Sequence, residues 1–123
     1  MVNGLNELSK KVYEANKQKG FDVANENIGQ ILMLIVSELS EALEADRKDK
    51  KADIQLLKAY LSHGMSYKQA FESAVKDTFE DEIADALIRI LDLCGAHGID
   101  IDLHVSLKLQ YNKLRDFKHG KKY

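Results

Sequence analysis

The chain has 123 residues and a mass of 13.9 kDa, 45% of it apolar and 31% charged, which suits one compact domain, residues 1–123, with a single sizeable core and excludes disordered classes. It has no proline, no tryptophan and seven scattered glycines, so collagen-like, proline-rich and glycine-linker chains are excluded too. The net charge of −2 divides into +5 over residues 108–123, where six Lys/Arg face one acid, and −7 over the rest: an acidic body with a basic end.

The absence of proline, with abundant Ala, Leu, Glu and Lys and few β-branched runs, predicts an all-α fold of four to five bundle helices plus a helical insertion. A first helix spans about Leu5 to Lys19, with Leu5, Leu8, Val12 and Ala15 on one stripe and Gly20 placed to end it. A second starts at an Asn cap near Asn25 to Asn27 and continues to about Lys48. Its stripe, Ile28, Ile31, Leu32, Ile35, Leu39, Ala42 and Leu43, is the strongest periodic segment. Residues 46–53, DRKDKKAD, read as a solvated turn. A short helix follows from Ile54 to Leu61, closed at His63-Gly64. Ser66 with Gln69 then forms a capping-box pattern for a helical stretch from Tyr67 to Cys94, bent near Asp77-Thr78. Asp100 or Asp102 caps a last helix carrying Leu103, Leu107 and Leu114 and ending near Arg115. Residues 116–123 are expected to form a mobile basic tail.

Cys94 is the one cysteine and falls on an apolar stripe, so it reads as a small core residue. No internal disulfide is available, and the start MVNGLNELSKK lacks the apolar run of a signal peptide, which together point to the cytoplasm. The longest strongly apolar stretch, Ile31 to Val36, is far short of the roughly 20 residues that span a bilayer.

Acids at one position break the amphipathic rule. Glu38 lies seven residues after Ile31, two helical turns on, and therefore on the apolar stripe of the second helix; Glu41 sits at the stripe's edge. An ionised carboxylate buried there requires a cation, a hydrogen-bond network or a shifted pKa. A second i, i+3 pair, Glu82 and Asp85, shares a face of EDEIADALIRILDL with Arg89 and Asp92. That face reads as a polar wedge beside a stripe of Ile83, Leu87, Ile90, Leu91 and Cys94. If the two helices pack side by side, four carboxylates converge, and all-oxygen ligation of that kind suits Mg²⁺, with Mn²⁺ as an alternative. A di-iron bundle needs Glu-x-x-His pairs, and no glutamate here has histidine three residues later.

Glu38-x-x-Glu41, then Glu82-x-x-Asp85 in EIADALIRILDL, then KLQYNKLRDFKHGKK at residues 108–122, resembles the MazG-like branch of the all-α nucleoside triphosphate pyrophosphohydrolases. The likeness covers most of residues 5–50 and 76–122. It implies that Glu38, Glu41, Glu82 and Asp85 ligate metal and that a nucleoside triphosphate is cleaved between its α and β phosphates, giving a monophosphate and pyrophosphate. Glu41 is then the first choice for activating water, with Glu38 beside it. Lys108, Asn112 and Arg115 match positions near the nucleotide, and Lys19 and Phe21 match the segment after the first helix that approaches the base.

The sequence departs from the family's pattern at Arg89, where an aromatic can stand, and at Ser37, where relatives often carry a further acid. Residues 49–76 are longer than the compact connection the family implies and read as a helical insertion. The resemblance also implies a homodimer or homotetramer. Two rival readings use the same residues: a phosphoribosyl-ATP pyrophosphohydrolase, and a non-catalytic helical interaction module with nucleic acid on the basic end. The acidic body leaves little positive surface for nucleic acid, so that partner is not expected.

Overall fold

The computed structural model describes residues 1–123 and is all-helical, without a strand. Six α-helices follow in order: α1 (Leu5–Gln18), α2 (Ile28–Arg47), α3 (Ile54–Ser62), α4 (Tyr67–Ala74), α5 (Phe79–His97) and α6 (Ile101–Asn112). Short 3-10 turns occupy Val23–Asn25 and Phe117–Gly120. The chain forms two compact units, one of residues 1–26 and 91–123, the other of residues 27–90, so α5 contributes to both. No helix is long and apolar enough to cross a membrane.

In the first unit α1 packs with α6, and each helps to start the other. Gly4 supplies no side-chain cap to α1. Instead Asp102 accepts from the Leu5 and Asn6 backbone N–H groups at 2.9 and 3.3 Å, while the Asn6 side chain accepts from the Asp102 N–H at 3.1 Å. Orphan donors at two helix starts are thus satisfied by one reciprocal exchange. Asp100 caps α6 through Leu103 N–H at 3.1 Å. The helix closes at Asn112, three residues before the expected Arg115, and the basic end then carries a 3-10 turn with Lys118 and His119 left-handed.

Against the first turns of α1 lies the far end of α5. Ser9 is buried, and a Cβ placed on Gly95 would lie 2.5 Å from the Ser9 carbonyl oxygen, so only glycine permits this approach. Asn16 donates to Asp92 at 3.0 Å and Tyr13 donates to Asp22 at 2.8 Å. The unit's buried apolar residues include Val23, Leu91 and Cys94, the last as the stripe predicts.

In the second unit Asn27 caps α2 by accepting from Gln30 N–H at 3.1 Å. Residues 49–76 hold two helices, as expected of that segment: Asp53 caps α3, Ser66 caps α4 through Gln69 N–H at 3.2 Å, and the two helices pack together. The stretch from Tyr67 to Cys94 is broken rather than bent. Helix α4 ends at Ala74, Asp77 adopts a left-handed φ of 63°, and α5 restarts at Phe79. Thr78 serves this restart, its hydroxyl oxygen accepting from Asp81 N–H at 3.4 Å.

The core of this unit is made from small residues. Ile31, Ile35, Ala42 and Ala45 of α2 are buried with Ala70, Ala74 and Ala86. Much of the expected apolar stripe lies outside it. Leu32, Leu39 and Leu43 of α2 and Ile83, Leu87 and Ile90 of α5 are about half exposed, whereas Glu82 of the expected polar wedge is only 5% exposed. The stripe of α5 divides: Leu91 and Cys94 are buried as expected, whereas Ile83, Leu87 and Ile90 lie outward. In this unit Glu82 takes an inward place beside Ala86 instead.

Candidate metal centre

Helices α2 and α5 bring the acids together. Two i, i+3 pairs on facing helices each present both members to one side. Candidate ligand oxygens of Glu38, Glu82 and Asp85 all lie within 4.8 Å of one another. Glu41 stands just outside this trio, its carboxyl acting on those of Glu38 and Glu82.

Glu82 is the most telling member. It is 5% exposed, and its Oε2 is buried without a hydrogen-bond donor. What faces it is acidic. Burial, then contact with the Glu41 and Glu38 carboxyls, then the charges of Glu41 and Asp85 push its pKa up to about 8. Burial also raises Asp85, reinforced by the charges of Asp81 and Glu38 and opposed by Arg89. Glu38 moves the other way. Burial pushes it up, but hydrogen bonds from Arg89, Glu82 and Glu41 outweigh that and hold its carboxyl below the usual range.

Arg89 supplies the one cation in direct contact. Its Nε donates to Glu38 Oε1 at 2.9 Å, with the Glu38 side chain 13% exposed. One turn beyond Asp85 on α5, this guanidinium neutralises one of the clustered charges. A single arginine against four carboxyl groups leaves the cluster short of positive charge in a partly desolvated place, and Glu82 keeps its proton there.

The cluster opens onto a groove of about 330 Å³, lined by Glu41, Glu44, Ala45, Lys48, Lys50, Asp77 and Glu82. Asp77 and Asp81 approach Glu82 from the restart of α5, their ligand oxygens also within 4.8 Å of its own. Asp81 Oδ2 is engaged there, accepting from Asp77 N–H at 2.9 Å. Glu41, exposed on the rim between cluster and groove, is placed to meet water.

Sequence spacing does not reveal this groove, because Lys48 and Lys50 belong to the run read as a solvated turn. Backbone bonds bring that run back onto the acids: Lys50 N–H donates to the Ala45 carbonyl at 2.9 Å, and Phe79 N–H donates to the Lys50 carbonyl at 2.9 Å.

The remaining candidates belong to the other unit. Lys19 caps the end of α1, and Phe21 is well exposed after Gly20. Lys108 and Arg115 flank the Tyr111 ring, with Lys108 Nζ 5.1 Å and the Arg115 guanidinium carbon 5.8 Å from its centre. Asn112 has a buried Oδ1 without a donor. Lysine, arginine and tyrosine thus form a cationic group at the end of α6, next to the turn containing His119 and Gly120. Comparison of the chain with protein-family models, with curated proteins and with solved structures finds no match.

Proposed function

We propose that the acid cluster of α2 and α5 holds Mg²⁺, with Mn²⁺ as a substitute, and that the protein is a nucleoside triphosphate pyrophosphohydrolase. The observation that carries this reading is Glu82: a buried carboxyl oxygen without a donor, ringed by other carboxyls. A native fold retains such a group only where something compensates it, and an all-oxygen set of three or four carboxylates fits a hard divalent cation. Glu38, Glu82 and Asp85 would hold the ion, with Glu41 at the open edge. Bound there, the ion supplies charge neutralisation and a water of lowered pKa.

The chain's own residues account for the rest. Glu41 orients and deprotonates the attacking water. Arg89 is a guanidinium beside the cluster, paired through Nε with Glu38, and its remaining N–H groups suit a phosphate. The resemblance alone assigns Lys108, Asn112 and Arg115 to the nucleotide and Lys19 and Phe21 to its base; all five belong to the other unit. Cleavage between the α and β phosphates gives a nucleoside monophosphate and pyrophosphate without a covalent enzyme intermediate.

The assembly we infer is a homodimer or a dimer of dimers. Its support is the outward stripe of Leu32, Leu39, Leu43, Ile83, Leu87 and Ile90, an apolar surface that a chain of this size does not ordinarily leave in water. The activity is tested with a panel of ribo-, deoxyribo- and modified nucleoside triphosphates in Mg²⁺, with phosphoribosyl-ATP included. Turnover of at least one, lost in Glu38→Gln and Asp85→Asn, is expected. Inactivity throughout, with nucleic-acid binding indifferent to Mg²⁺ and to Glu38, would favour the interaction module instead.

A further inference from the structure

We propose that the groove beside the acid cluster is the polyphosphate subsite, with Lys50 as its anchoring cation, and that it accepts an anion only once a divalent cation is in place. The inference rests on the metal centre proposed above and names what that centre's open side is for.

Three lysines lie in the turn after α2, and their environments differ. Lys48 pairs with Glu44 at 3.4 Å. Lys51 pairs with Asp46 at 3.1 Å and lies 4.3 Å over the Phe79 ring. Lys50 makes no ion pair, yet it lines the groove together with Glu41 and Glu82, two of the four acids of the cluster. Its backbone is held on both sides, to the end of α2 through Ala45 and to the start of α5 through Phe79. Lys50 is exposed and unpaired on a backbone held between the two ligand-bearing helices, which leaves its ammonium open to an anion at the groove.

Charge and size narrow the ligand class. Four carboxyl groups and two lysines line the groove, so while empty it repels a free polyanion. A divalent cation held between the acids offsets that repulsion, and Lys50 then supplies a point charge of the kind that suits phosphate. A volume of about 330 Å³ is near the lower end of the roughly 300–1,000 Å³ typical of small-molecule sites, enough for the phosphate chain rather than a whole nucleotide. Pyrophosphate, the part of the substrate that leaves, has this chemistry.

The experiment uses the full chain, with Mn²⁺ uptake followed by electron paramagnetic resonance and inorganic pyrophosphate binding by calorimetry in Mg²⁺ or in EDTA. Wild type is expected to bind pyrophosphate in Mg²⁺ and not in EDTA. Lys50→Ala should weaken that binding by about tenfold or more, Lys50→Arg should restore most of it, and the exposed control Lys10→Ala should match wild type. Mn²⁺ uptake should be unchanged or tighter in Lys50→Ala, which a merely structural role for Lys50 would not give.

Pyrophosphate binding equal in Lys50→Ala and wild type, or equal in EDTA and Mg²⁺, overturns the assignment while leaving the metal centre standing. Loss of Mn²⁺ uptake in Lys50→Ala in step with pyrophosphate also overturns it. A wild-type protein that takes up no Mn²⁺ overturns the metal centre and this subsite together.

Discussion

Replacing Glu82 with glutamine separates a structural acid from a metal ligand, because the two roles predict opposite effects on stability. In the metal-free protein the Glu82 pKa is about 8, against an ordinary 4.5, with burial as the main cause and neighbouring carboxyls adding to it. The folded state therefore binds this proton more tightly than the unfolded state. Its contribution is complete below about pH 4.5 and is lost as pH rises through about 8. At about 1.4 kcal/mol per unit, the shift sets an upper limit of about 5 kcal/mol on that loss. A domain of this size loses several degrees of Tm for each kcal/mol.

Glu82→Gln keeps the shape of the protonated acid and cannot ionise. In EDTA it should match wild type near pH 5 and melt well above it near pH 8.5. In Mg²⁺ the order reverses: wild type gains stability through binding, whereas the variant gains little. Thermal denaturation across pH 5–9, with and without Mg²⁺, reads both effects. A variant less stable than wild type in EDTA at pH 8.5, or one that responds equally to Mg²⁺, would refute the reasoning.

Three further outcomes follow from particular contacts. Gly95→Ala places a methyl 2.5 Å from the Ser9 carbonyl oxygen and 2.9 Å from Tyr13 Cβ, and should cost about 1–3 kcal/mol in denaturant titration. Ser66→Ala removes the acceptor for Gln69 N–H at the start of α4 and should cost about 1 kcal/mol in the same assay, with no change in metal uptake. Leu39→Glu combined with Leu87→Glu charges two outward positions, each 48% exposed. Sedimentation should change from a dimer or larger species to a 13.9 kDa monomer while helicity is kept. Wild type sedimenting as a monomer would contradict the proposed assembly.

The helices were legible because their signals are local. Asn27, Ser66 and Asp100 each cap the helix that follows, and 3.6-residue periodicity located α2 and α5; the Asp53 cap of α3 lay hidden in the charged run. Glu38 was legible for the same reason, as an acid on an apolar stripe. Glu82 was not. A helical wheel gives angles without a direction for the interior, and the usual rule places the Ile/Leu side inward; here Ala86 and Glu82 take that side, leaving Ile83 and Leu87 out.

Long-range pairings are silent in sequence for a different reason. Asp102 looks like an ordinary first-turn acid of α6, yet it caps α1 from 97 residues away. Lys50 looks like one charge in a solvated run until backbone bonds from Ala45 and Phe79 place it at the groove.

The most direct test of the central claim is a ³¹P NMR time course of a reactive nucleoside triphosphate with the protein and Mg²⁺. Equal growth of pyrophosphate and nucleoside monophosphate resonances, absent in EDTA and in Glu38→Gln, is the expected result. Growth of nucleoside diphosphate and orthophosphate, or turnover that persists in Glu38→Gln, would contradict it.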